Sequence, residues 1–169
     1  MEEVVRLLNN LRAGGIISDY AVFGAIAQMR YTEPVATLDA DILIALPNAE
    51  GLDILSPVYR FCEKQGYHPE GEAIRVGAWP VQFIPAFDNL TREALKNAET
   101  GDFNGLPFRV VRADYLAAIA ISVGRPKDHA RVLALLESEA VTADDISRIC
   151  AGHGLNESWQ RFRKKFLDD

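Results

Sequence analysis

Residues 20–46 read YAVFGAIAQMRYTEPVATLDADILIAL, and the order of segments within that stretch decides the fold. Tyr20 to Phe23 is a short apolar run of the kind that forms a buried strand, and Gly24 breaks it. The small residues Ala25, Ile26 and Ala27 open a helix, and a polar loop with Arg30, Thr32, Pro34 and Thr37 follows. The segment TLDADILIAL then has the apolar, β-branched character of a strand in a largely covered sheet. Alternate side chains of a strand share a face, so Asp39 and Asp41 point the same way. Two carboxylates that close repel each other unless a cation lies between them.

Working outward, Val4, Val5, Leu7, Leu8 and Leu11 predict a helix over residues 2–13, stopped by Gly14-Gly15. PNAEG at 47–51 is a turn. Residues 54–65 carry Leu55, Val58, Phe61 and Cys62 at helical spacing, ended by Gly66. Strands are expected over 73–76 and 81–85, joined through Gly77-Ala78-Trp79-Pro80 as a hairpin. Residues 89–98 read as a helix with Asn89 as its N-cap. GDFNGLP is a loop before a last strand over 108–111.

From Arg112 the pattern becomes helix after helix: 115–123, then 127–136 with Pro126 at the first helical position. Thr142 with Asp145 opens another near-capping-box helix, and 156–166 is the last. The fold class is α/β (α+β), a small mixed sheet flanked by helices. A seam near residue 112 divides an α/β core, 1–111, from a helical C-terminal extension, 112–169, packed on it.

The chain's 169 residues suffice to bury a real core, with 49% apolar and 25% charged residues. No run of eighteen apolar residues exists, so no membrane span is expected, and MEEVVRLLNNLR is unlike a secretory signal. Cys62 and Cys150 lack metal-ligand spacing and read as reduced, buried small hydrophobes of a cytoplasmic protein. The net charge of −6 argues against a general nucleic-acid-binding surface, though not against a local basic patch. His68, His129 and His153 are scattered without ligand spacing, so zinc is not expected.

A strand ending in glycine followed by a D-x-D strand resembles the nucleotidyltransferase fold. The nearest likeness is to minimal bacterial proteins of the AbiEii toxin type, whose G-G-x-A turn, R-x-T step and D-x-D strand stand here as Gly24-Ala25-Ile26-Ala27, Arg30, Thr37, Asp39 and Asp41. The resemblance covers roughly the first two thirds of the chain. It implies Mg2+ (or Mn2+) held by Asp39 and Asp41, with the turn at Gly24 and Ala25 backing the phosphates of an NTP. It further implies transfer of a nucleoside monophosphate to an acceptor, an RNA end, a protein or a small molecule, and a possible antitoxin-like protein partner.

Two positions depart from the family pattern. Ala25 stands where a glycine or small polar residue is usual, and Gln82 is the polar inward residue of the strand that commonly carries a third carboxylate. A neutral amide hydrogen-bonds well but is a poor general base. Some toxin-type relatives use a later lysine and aspartate instead, and GRPKDHAR at 124–131 supplies Lys127 and Asp128, with Arg125 as a further phosphate cation. Arg30, and less so Arg75, are also candidates to reach the cleft. The rival reading is a catalytically silent binding or regulatory module of the same fold. The basic, aromatic tail Arg161-Phe162-Arg163-Lys164-Lys165-Phe166 reads first as a helix burying Phe162 and Phe166 with its charges solvated, and second as an RNA contact.

Overall fold

The decisive stretch folds as two antiparallel strands with a short helix between them. In the computed structural model, which describes residues 1–48 and 50–168, β1 (Asp19–Val22) lies beside β2 (Ala40–Ala45), Tyr20 opposite Ile44 and Val22 opposite Ile42. The helix α2 (Gly24–Gln28) starts where β1 stops. Tyr20, Ala21, Val22, Ile42, Leu43 and Ile44 are all buried, as strands covered on both faces must be.

Further strands extend the sheet on both sides. β5 (Trp79–Pro85) runs parallel to β2, then β4 (Ala73–Val76) and β3 (His68–Glu70) continue antiparallel. On the other side β7 (Leu106–Val110) is parallel to β1, and β6 (Glu99–Phe103) pairs antiparallel with β7. The order is β3-β4-β5-β2-β1-β7-β6, a mixed seven-stranded sheet.

The strands depart from the sequence pattern at several places, the expected connection 77–80 among them, since β5 already begins at Trp79 and leaves only Gly77-Ala78 as the turn. The expected loop GDFNGLP is most of a hairpin, its turn at Asn104-Gly105, where Asp102 accepts a hydrogen bond from the Gly105 amide at 3.0 Å. Strand β3 has no counterpart in the pattern, because His68, Pro69 and Glu70 are all exposed and show no apolar alternation. The turn expected at 47–51 includes Ala49, which lies outside the described residues.

The amphipathic α1 (Glu2–Ala13) packs on β7, on β1 and on α3 (Ser56–Lys64). The helix α4 (Asn89–Lys96) packs against β1 and β2 and is capped by Asp88, not Asn89: Asp88 Oδ1 accepts the Thr91 amide at 2.7 Å. Either residue type caps well, so composition alone does not choose between neighbours.

The remaining helices gather around α5 (Ala113–Val123), buried along Ala113–Ile121 and touched by α2, α4, α6 (Pro126–Glu137), α7 (Ala143–Gly152) and α8 (Asn156–Phe166). A helix apolar all round must be surrounded in this way. Its C-cap is Gly124, φ 72°, a left-handed conformation glycine adopts without penalty, and Pro126 then opens α6 as expected. Thr142 and Asp145 form the anticipated reciprocal cap of α7, the Asp145 amide donating to Thr142 at 3.1 Å and the Thr142 amide to Asp145 at 3.0 Å. Cys62 and Cys150 are buried free thiols, each pushed up to about 11 by burial. Among the described residues no helix is long and apolar enough to cross a membrane.

Candidate active site

The site begins with a close approach of main chain to carboxylate. The Phe23 amide donates to the Asp41 carbonyl at 2.9 Å, pinning the end of β1 to the start of β2. Gly24 follows with φ 62°, and its α-carbon lies so near the Asp41 side chain that an added Cβ would stand 2.5 Å from Oδ2. Glycine is therefore required twice, for its backbone angles and for the room it leaves. Asp39 sits in the bend just before β2 rather than in the strand itself, yet lines the same cleft as Asp41. The Thr37 hydroxyl holds it there, close to the Asp39 carbonyl (3.0 Å) and to its Oδ1 (3.3 Å).

That cleft, of about 220 Å3, is bounded by Asp39, Asp41 and Gln82 on the sheet side and by Arg125, Lys127, Asp128 and Arg131 at the start of α6. Gln82 is the register partner of Asp41 on the parallel strand β5. The amide thus lies beside Asp41 and contributes no charge.

Burial raises the pKa of Asp41, and the neighbouring Asp39 raises it further. Arg131, Lys127 and Arg125 oppose this without cancelling it. A carboxyl with a raised folded-state pKa favours folding below that pKa, and the benefit is lost as pH rises through it. Asp41→Asn should therefore raise the urea midpoint at pH 7. The gain over wild type should vanish as the pH falls to where Asp41 is protonated. A variant no more stable than wild type at pH 7 would remove the case for an unfavourable buried charge at Asp41.

Asp128 is differently placed. It is only 1% exposed; its Oδ2 accepts the Arg125 amide at 3.1 Å and Arg125 Nε at 2.7 Å, and Arg131 lies 3.8 Å away. Burial alone would raise its pKa, but the hydrogen bonds from Arg125 and the charges of Arg125 and Arg131 outweigh it and hold the group low. Its oxygens are committed to fixing the start of α6 and the two arginines.

Arg131 is a cleft residue that the sequence motifs do not single out. Its guanidinium is largely buried, donates from Nε to Gln28 Oε1 at 3.0 Å, and faces both Asp128 and Asp41. The helical spacing carries the signal: residue 131 stands above 127 and 128, so the three form one face.

The candidate cations Arg30 and Arg75 lie apart from the cleft. Arg30 projects toward β6, 3.7 Å from Glu99 and packed over Gly101. Arg75 is bound to Glu70 at 2.6 and 2.8 Å on the sheet edge. Ala25 is half-buried in the first turn of α2. Of the histidines, His153 pairs with Glu93 at 2.6 Å and His129 packs among aromatic rings.

The mixed α/β architecture is that of the nucleotidyltransferase-like fold, as solved structures show. An antigenic nucleotidyltransferase-like protein from Paracoccidioides brasiliensis superposes with a TM-score of 0.61 at 14% identity, over 96% of this chain and 86% of that one. The antibiotic-resistance factor ANT(2'')-Ia superposes with a TM-score of 0.54 at 12% identity, over 96% and 95% of the two chains. At such identities the likeness concerns the fold. No protein-family model and no curated protein matches the sequence.

Proposed function

We propose that this protein is a nucleotidyltransferase that moves a nucleoside monophosphate from an NTP to an acceptor hydroxyl. The observation that carries the reading is the Asp39–Asp41 pair set against Gly24 and faced by the cations Arg125, Lys127 and Arg131 in one cleft. In such a transfer the acceptor oxygen bonds to the α-phosphorus while the bond from that phosphorus to the bridging oxygen breaks. Pyrophosphate leaves with the electron pair. Positioning and charge neutralisation dominate this chemistry.

The residues present fit a divalent cation. Among the described residues no group of three or more His, Cys, Asp or Glu side chains gathers at one point. Two carboxylates, with phosphate oxygens and water completing the shell, are the donor set magnesium usually takes beside a nucleotide. Bound there, Mg2+ or Mn2+ would neutralise phosphate charge and orient the oxygens in line. Thr37 orients Asp39, the turn at Gly24 and Ala25 lets main-chain amides approach phosphate, and Arg125, Lys127 and Arg131 neutralise the triphosphate. Gln82 can hydrogen-bond the substrate but accepts no proton, so Asp39 and Asp41 are the cleft carboxylates left to receive one. Asp128 supports the arginines and is not a proton acceptor in this reading.

Within the class, the resemblance of the Gly24 turn, Arg30, Thr37 and the Asp39-x-Asp41 motif points to the AbiEii toxin type, and with it an antitoxin-like protein partner, although Arg30 lies against Glu99 and not in the cleft. A second reading, a nucleotide-binding module without turnover, is favoured by Gln82 lying in register with Asp41.

Titration calorimetry with ATP, GTP, CTP and UTP, with and without magnesium, separates these. Transfer chemistry requires magnesium-dependent binding of at least one NTP, lost in Asp39→Ala/Asp41→Ala while the fold persists by circular dichroism. Binding unchanged in that variant sinks the proposed site. Binding lost in it, but without labelled product from any acceptor, supports the silent module.

A further inference from the structure

The basic, aromatic tail is not explained by the cleft. Its helix α8 carries Arg161, Arg163, Lys164 and Lys165 against a single acid, Glu157, in a chain of net charge −6. Cations in a last helical turn favour the macrodipole and by themselves mean little. Here two of them border a cavity. A hollow of about 280 Å3 lies between the end of α5, the start of α6 and α8, lined by Val123, His129, Arg161, Phe162, Lys165 and Phe166 among others.

Its wall is a cluster of π-faces. His129 lies 5.6 Å from Phe162 and 5.1 Å from Phe166, and the two phenyl rings are 4.9 Å apart. Phe162 is buried, as the tail's first reading expects, but Phe166 is 37% exposed and Lys165 stands 5.1 Å over its ring. Exposed aromatic surface beside cations is what a stacked base and its phosphate require. The hollow is near the lower end of the usual size for small-molecule sites, about 300 Å3, so it admits one planar group. Val123, half-exposed between the two, lines both this hollow and the carboxylate cleft.

We infer that the α5–α6–α8 hollow is a subsite for a nucleobase carrying a phosphate, the base against His129 and Phe166 and the phosphate on Arg161 and Lys165. A free mononucleotide or the end of a single strand supplies that chemistry. The placement beside the cleft makes such a ligand the acceptor, an assignment resting on the transfer reaction proposed above; the binding itself does not.

Two probes test it: AMP by calorimetry, and a short 5′-phosphorylated, fluorescein-labelled oligonucleotide by anisotropy, both in the Asp39→Ala/Asp41→Ala background so that magnesium-dependent binding at the cleft is removed. At least one should bind. The affinity should fall about tenfold or more in Phe166→Ala, which removes the exposed stacking face. Arg161→Ala/Lys165→Ala should weaken binding at least as much. It should also flatten the salt dependence by about 0.7 in log–log slope for each phosphate left without its cation. All three side chains are at least partly exposed, so the variants should fold, which circular dichroism verifies. Tighter binding of the oligonucleotide identifies a strand end, and equal binding a mononucleotide. Failure of both probes, or affinities untouched by all three substitutions, overturns the subsite. If the cleft is active, label from NTP should reach the oligonucleotide in wild type and drop with these substitutions while NTP binding holds. Undiminished transfer overturns the acceptor assignment alone.

Discussion

Gly24→Ala should abolish magnesium-dependent NTP binding and destabilise the fold by several times the cost of the same change at Gly71. Both glycines have left-handed backbones, φ 62° and φ 64°. An alanine at either costs roughly 1–2 kcal/mol for that conformation. At Gly71 nothing lies within 4 Å of the new Cβ, so the backbone cost is the whole effect. At Gly24 the new atom would stand 2.5 Å from Asp41 Oδ2 and 3.2 Å from its Cβ and Cγ. Rotating the Asp41 carboxylate relieves only part of the crowding, because its Cβ is held in place by the Phe23 amide bond and by its position in β2, between β1 and β5. The carboxylate is displaced or the β1–α2 turn opens, and either ends its alignment with Asp39. Urea denaturation of both variants with NTP titration provides the test. If Gly24→Ala is no less stable than Gly71→Ala and binds NTP like wild type, the close approach has no functional meaning.

The β1–Gly24–α2 turn is legible in the sequence because a glycine between an apolar run and a small-residue helix start has few local alternatives. The carboxylate pair that follows is legible for the same reason. Helix limits are legible where caps are chemically distinctive: Pro126, and Thr142 with Asp145. The hairpin of β6 and β7 is partly hidden because an edge strand with exposed Glu99, Thr100 and Asp102 lacks alternation; pairing with β7 holds it. Directions of long side chains are hidden for a related reason. Arg30 and Arg75 are ordinary loop and strand cations until Glu99 and Glu70 claim them, and only the fold brings Glu99 near. Arg131 lies one helical turn beyond the Lys127-Asp128 motif, and only its burial against Gln28 and Asp128 distinguishes it from a solvated helix cation.

The Asp128 carboxylate provides the second large effect. Asp128→Asn keeps the shape but removes the charge that faces Arg125 and Arg131. Arg125 is 56% exposed and regains water, whereas Arg131 is 14% exposed and does not. Leaving a buried guanidinium short of its counter-charge should cost about 3 kcal/mol, the lower end for a broken buried pair because one partner is solvated. The pH dependence fixes the sign. Asp128 has a lowered folded-state pKa, so its contribution is full above the unfolded value of about 3.9 and is lost as pH falls through the folded one. The stability gap between wild type and Asp128→Asn should therefore be constant near neutrality and close in strong acid, as urea midpoints at several pH values would show. A gap that persists unchanged below the folded-state pKa would mean that packing, not charge, explains the variant. Function should follow stability in kind but not in cause. With its counter-charge gone, Arg131 is freer to leave the cleft or to pair with Asp41, so NTP affinity should fall even where the variant is fully folded. Lys127→Ala, an exposed position, should weaken NTP binding with little change in stability. The contrast tests whether Lys127 itself meets the phosphates while Asp128 acts by holding the cleft arginines in place.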